Sequence, residues 1–183
     1  MTDSPSLRET TTLALPLRLA DLSARGTVKF RLLPDPEARA TLAGLMGVQK
    51  LRKLEFSGTL TPDGRYDWRL AGRLGATAVQ DCVITGEPVT TRIDTDVTRR
   101  FVRDMPEITS DDLEIPEDDT LEPLGPVIDP GAVMAEALAL ALPDYPRAEG
   151  ADLGQGLQVA PEGAAPLQRN AFAALAALKR DAD

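Results

Sequence analysis

Few side chains in this sequence have the type and spacing to do chemistry, and each has a competing structural explanation. Cys82 opens the run Cys82-Val83-Ile84-Thr85. A thiolate metal site would need a second cysteine at the fourth position, and Thr85 cannot supply that ligand. A lone cysteine at a strand end reads first as a small buried hydrophobe. A reactive thiolate would need a cation beside it, which here means Arg or Lys, because the chain has no histidine. The pairs Asp94/Asp96 and Asp118/Asp119 could raise a pKa or hold a divalent cation. The first alternates with apolar residues and so faces water, and the second lies in an acid-rich stretch that lacks the glycine and terminal glutamate of a calcium loop. Both read as solvated charge. Glu136 stands on an otherwise apolar helix pattern, either marking the solvent side or paired with an arginine from a neighbouring hairpin. Without histidine there is no Ser-His-Asp triad, histidine base or histidine metal ligand, and no Gly-rich phosphate loop or Gly-x-Ser-x-Gly elbow occurs.

Charge is distributed unevenly. The formal net charge of −9 arises from 20 basic and 29 acidic residues, yet residues 1–104 carry 16 Lys+Arg against 13 Asp+Glu while residues 105–183 carry 4 against 16. No basic residue occurs from Asp104 to Asp144. Such segregation bears on partners rather than on topology. The acids Asp111, Asp112, Glu117, Asp118 and Asp119 are candidates for gripping cationic proteins. Arg92, Arg99, Arg100 and Arg103, with Lys50, Arg52 and Lys53, are candidates for a basic strip. Tyr66 and Trp68 are the only aromatics beside that strip, so an ordinary mixed surface is the better reading than a base-stacking RNA site.

At 183 residues with 43 % hydrophobic content, the chain can bury one sizeable core. No apolar run approaches the roughly 18 residues that span a bilayer, and neither a leader nor an internal disulfide is indicated, which predicts a cytoplasmic protein with no membrane partner.

The elements that must position these residues follow from periodicity. Leu13, Leu15, Leu17 and Leu19 alternate as one face of an edge strand over residues 12–19, and Val28, Phe30 and Leu32 as a second strand. Asp35-Pro36-Glu37 caps a helix running to about Met46, with Leu42, Leu45 and Met46 as its apolar stripe. A hairpin turns at Thr61-Pro62-Asp63-Gly64, placing Tyr66, Trp68 and Leu70 on its return strand. A second hairpin pairs residues 74–83 with 89–102, Val89, Ile93, Val97 and Phe101 on one face and Arg92, Asp94, Asp96 and Arg100 on the other. Asp129-Pro130 starts a helix ending at Pro143, apolar enough to require cover on several sides. The predicted organisation is a disordered N-terminus over 1–11, an α+β domain over 12–147 with a mobile acidic loop at 104–127, a linker over 148–165, and a C-terminal helix within 166–183. The fold class is α+β: an antiparallel sheet of five to six strands, curled toward a partly open barrel, two packed helices and the peripheral C-terminal helix.

Three of these stretches together resemble the YceD-like family, named for large ribosomal RNA subunit accumulation. They are Gln80–Val89 with the strand to Phe101, Ile128–Pro143 with Asp144-Tyr145-Pro146-Arg147, and Asn170–Lys179. The resemblance covers about residues 10–180, and Asp129, Glu136, Leu138, Leu140, Pro143 and Arg147 are its family-like positions. Many members carry Cys-x-x-Cys, so with Thr85 in place of the second cysteine no metal site carries over. The resemblance implies a non-enzymatic factor, without cofactor or small-molecule substrate, that supports 23S ribosomal RNA accumulation. The charge segregation, rather than the resemblance, supplies the expected partners: ribosomal proteins or large-subunit precursors, with rRNA contact through the basic hairpin face. Arg92, Arg99, Arg100, the five acids named above, Glu136, Tyr145 and Arg147 are the partner-binding candidates. The alternative is a general protein-binding adaptor or dimerisation module unrelated to ribosomes.

Overall fold

A computed structural model describes residues 6–23, 26–104 and 120–151. The chain divides into two compact units, Met1–Glu149 and Gly150–Asp183, and the elements below all lie in the first. The strands are β1 (Ser6–Thr10), β2 (Leu17–Arg18), β3 (Val28–Leu32), β4 (Lys50–Asp63), β5 (Asp67–Asp81), β6 (Pro88–Val102), β7 (Leu121–Pro123) and β8 (Val127–Ile128). The helices are α1 (Leu19–Ser23), α2 (Pro36–Leu45) and α3 (Pro130–Ala141). Six strands form one sheet in the order β1-β3-β4-β5-β6-β7, and β2 pairs with β8 separately.

The sheet is mixed rather than purely antiparallel. Its centre, β3 to β6, is an antiparallel meander, but β1 runs parallel to β3 and β7 parallel to β6. The two edges do not pair with each other, so the expected curl does not close a barrel. β1 also corrects the expectation of disorder over residues 1–11, since Ser6–Thr10 forms a ladder with β3; residues 1–5 lie outside the described residues. Within the predicted acidic loop, Leu121–Pro123 extend the sheet edge as β7 and Val127 opens β8; residues 105–119 lie outside the described residues. So do the C-terminal helix and all but the first residues of the linker.

Residues 12–16 form no strand, although their burial alternates as expected, with Leu13, Leu15, Leu17 and Leu19 packed against the core. Their backbone is engaged instead by side chains and turns. Asp129 caps α3, and its Oδ1 accepts the N–H groups of both Gly131 and Leu15 at 2.8 Å. A Cβ at Gly131 would overlap the Leu13 carbonyl, so the entry of α3 depends on that glycine. At the other predicted cap, Asp35 accepts from Ala38 N–H at 2.9 Å with Pro36 in the first turn, and Gly47, at φ +65°, ends the helix.

β4 continues through Pro62 to Asp63, which moves the hairpin turn to residues 64–66 and leaves Tyr66 in the turn, half exposed, rather than beside Trp68 and Leu70 in the strand. β5 is a single long strand that serves both hairpins. One core unites the inward side of the sheet with the helices: Phe30, Phe56, Leu60, Leu70 and Leu74 meet Leu42 and Ala43 of α2 and Val133, Met134, Ala137 and Leu138 of α3. Phe30 and Phe56 pack as a tilted pair with centroids 5.1 Å apart. Two helical expectations fail here. Leu45 is 78 % exposed instead of completing the stripe of α2, and α3 is covered on one side only, with Leu140 75 % exposed.

Candidate interaction site

Strand parity decides what the arginines of β6 do. Ile93, Val97 and Phe101 are buried on the inward face, as predicted, and Arg99 shares that face. Arg92 and Arg100 project from the opposite face, so the three do not form one strip. Arg99 has only 14 % of its side chain exposed and reaches Glu122 of β7 at 3.0 Å and Glu136 of α3 at 3.1 Å. Glu136 thus has the hairpin arginine as a partner and remains half exposed as well. Burial first, and the neighbouring Glu136 second, push the Glu122 carboxyl above its usual range, while Arg99 opposes both. This cluster ties the edge strand, the hairpin and the helix together. Beside it runs an open groove of about 440 Å³ between β6 and α3, lined in part by Thr95, Arg99, Ala137 and Leu140.

At the far end of the second hairpin, Cys82 follows β5 and is buried. The turn Cys82–Glu87 closes on itself through Gly86 N–H to the Cys82 carbonyl at 2.9 Å, with Gly86 at φ +73°. The segment after α3 docks against this turn. Val83 N–H donates to the Pro146 carbonyl at 2.9 Å, Ala148 N–H to Cys82 Sγ at 3.2 Å, and Gln80 Nε2 to the Pro143 carbonyl at 3.1 Å. The Thr85 hydroxyl, then the N–H groups of Ala148 and Thr85, favour the thiolate and lower the Cys82 pKa from 9.0 to about 7. Burial made Cys82 legible as a hydrophobe, but its role as an acceptor that holds the chain after α3 was not. On either side of the buried Pro146, Tyr145 and Arg147 are exposed.

On the outer face the candidates are self-neutralised. Arg92 meets Asp94 at 2.7 Å, Arg73 meets Asp96 at 3.5 Å, and Arg100 and Arg69 share Asp63 at 2.9 and 3.6 Å. Arg103 stacks over the Tyr66 ring, 4.3 Å from its centroid. Asp111, Asp112, Glu117, Asp118 and Asp119 lie outside the described residues. Among the described residues no group of three or more Cys, Asp or Glu is placed to hold a metal, and no helix is long and apolar enough to cross a membrane.

The class defined by this architecture is an α+β protein with a central antiparallel meander, parallel strands at both edges, and a helix clasped to the second hairpin by ion pairs and backbone hydrogen bonds. Residues 70–179 match the family model described as "Large ribosomal RNA subunit accumulation protein YceD", and the chain belongs to that family. The match takes in β5 to α3, including Cys82, Arg99 and Glu136, and begins at residue 70 rather than near residue 10, where the resemblance was expected to start. No curated protein and no solved structure matches the chain. The family's name describes an accumulation factor of large-subunit ribosomal RNA.

Proposed function

We propose that this protein is a non-enzymatic factor that supports 23S ribosomal RNA accumulation and large-subunit biogenesis by contacting ribosomal proteins or pre-ribosomal particles. Family membership carries the reading. The charge pattern supports the mode of action: the stretch from Asp104 to Asp144 has no basic residue, and such a run attracts Lys/Arg-rich proteins. Asp111, Asp112, Glu117, Asp118 and Asp119 are the acids assigned to that contact, together with Glu136 of α3 and Tyr145 and Arg147 after its C-terminus. The hairpin arginines Arg92, Arg99 and Arg100 contribute less to rRNA contact than the sequence suggests, because each is already matched by a carboxylate.

Depletion in cells, with 23S and 16S levels measured in parallel, tests the function. The expected outcome is a selective fall in 23S, and an unchanged 23S level overturns the reading. Gradient sedimentation tests the mode: the protein should co-migrate with large-subunit precursors and leave them as salt rises. Residence at the top of the gradient at every ionic strength would favour an adaptor outside the ribosome.

A further inference from the structure

Most cations on the outer face of the sheet are spent on carboxylates, but those around the junction of α2 and β4 are not. A groove of about 420 Å³ runs there, lined by Arg39, Lys50 and Arg52 together with Gly44, Val48 and Gln49, and among the described residues no carboxylate lines it. None of these three cations, nor Lys53 beside them, forms an ion pair among the described residues. By contrast, Arg31, Arg69, Arg73, Arg92, Arg99 and Arg100 all do. Arg39 is nonetheless held in place. Its Nη1 donates to the Pro34 carbonyl at 2.6 Å and its Nε to the Leu51 carbonyl at 3.2 Å, which orients the guanidinium without cancelling its charge. The ladder between β4 and β5 shifts register between Leu51 and Lys53. That bulge keeps Leu51 and Leu54 buried while exposing Arg52 and Lys53 in succession, where simple alternation would have turned one of them inward. The nearby Asp81 is engaged by the Gln49 amide and does not line the groove.

We infer that the α2–β4 groove binds the phosphate backbone of RNA. The inference deepens the proposed function and rests on it for the identity of the polyanion. Uncompensated guanidinium and ammonium groups along a concave wall, with Arg39 held in place among them, are the chemistry that replaces counterions on a phosphate chain. Among the described residues no aromatic side chain on which a base could stack lines the groove, so contact is to backbone and independent of sequence. The groove-lining residues all precede residue 70, where the family match begins, so this contact is a property of this chain's own N-terminal half. It also reconciles a net charge of −9 with RNA binding, because the cations are local and, among the described residues, no carboxylate lines the groove.

The test is fluorescence anisotropy of a labelled RNA hairpin with the full chain, across a series of salt concentrations. Two charge-matched variants are compared, K50Q/R52Q in the groove and R73Q/R92Q on the outer face. The groove variant should lose at least about tenfold in affinity at low salt, and its log-log salt slope should shrink by about 2, one unit per lost phosphate contact. The outer-face variant should stay within about twofold of the parent protein, and thermal melts should show both variants folded. Equal losses in the two variants, or no RNA binding by the parent protein, would overturn the inference, as would binding competed by polyglutamate but not by RNA. A selective fall in 23S on depletion alongside any of those results would leave the proposed function standing and remove only the groove.

Discussion

The two faces of the six-stranded sheet are made by the same strands yet are stabilised by different physics. Toward the helices, Phe30, Phe56, Leu70 and Leu74 are almost completely removed from water and Arg99 is the one charged side chain of β6 on that side. Toward solvent, the neighbouring positions carry Arg31, Glu55, Arg69, Arg73, Arg92, Asp94 and Asp96, joined in exposed pairs. Burial scales with area removed from water, whereas an exposed ion pair exchanges hydration for a contact of similar strength. The covered face should therefore set the stability of the fold, and the open face only its charge.

The sharpest way to break that contrast is to truncate one residue on each side of β4. Phe56 is fully buried against Phe30, and Phe56→Ala should cost about 3–5 kcal/mol in urea denaturation. Thr59→Ala, three residues on and facing outward, should stay within about 0.5 kcal/mol. Comparable losses from the two would mean that the open face is covered in solution.

Arg99 tests the exception on the covered face. Arg99→Ala leaves Glu122 and Glu136 facing each other without their shared cation, and the cost should be about 1–2 kcal/mol, below the fully buried case because both carboxylates reach solvent. The pH dependence has a definite sign. The Glu122 pKa is raised in the folded state above its ordinary 4.5, so its ionisation opposes folding as pH climbs through that range, and removal of Arg99 should steepen this loss. Urea midpoints measured from pH 4.5 upward read the change directly. A flat profile in the variant would show that Glu122 is better solvated than its burial implies.

The contrast between faces also explains what the sequence made legible. Period-two burial is visible in β3 and β6, because alternation of apolar residues is itself the consequence of one face being covered. The helix starts at Asp35-Pro36 and Asp129-Pro130 were visible because cap chemistry is local. What escaped depends on contacts distant in the chain. The five residues of β1 owe their ladder to β3, and residues 121–123 owe theirs to β6. The assignment of residues 12–16 to a strand failed because their burial alternates while their N–H groups go elsewhere, Leu15 to Asp129 more than a hundred residues away. Arg99 matches Arg92 and Arg100 in type, yet parity along β6 separates it from them.

Cys82 should give a smaller, strictly pH-dependent effect. With its pKa lowered to about 7 in the folded state against 9.0 otherwise, the thiolate adds stability as pH rises from about 7 to 9, an increment lost as pH falls back through 7. Thr85→Val removes the largest of the contacts that favour the thiolate and should move the alkylation midpoint upward, while Cys82→Ser should abolish the increment. An unchanged midpoint in Thr85→Val would assign the lowered pKa to the backbone N–H groups of Ala148 and residue 85 instead.

The smallest effect belongs to Arg92 and Asp94, and the reason lies in their spacing. The two sit two residues apart on one strand, so they are already neighbours in the unfolded chain, and folding brings them little closer. The guanidinium beside Asp94 lowers its pKa below the ordinary 3.8, first through the hydrogen bond, yet a similar, if looser, pull persists after unfolding. Arg92→Ala should therefore return the Asp94 titration, followed by carboxylate NMR shifts, toward 3.8 while leaving the urea midpoint at neutral pH almost unmoved. A large drop in midpoint would show that this pair, unlike the others on the open face, fixes the strand in the folded state, and would end the division of labour between the two sides of the sheet.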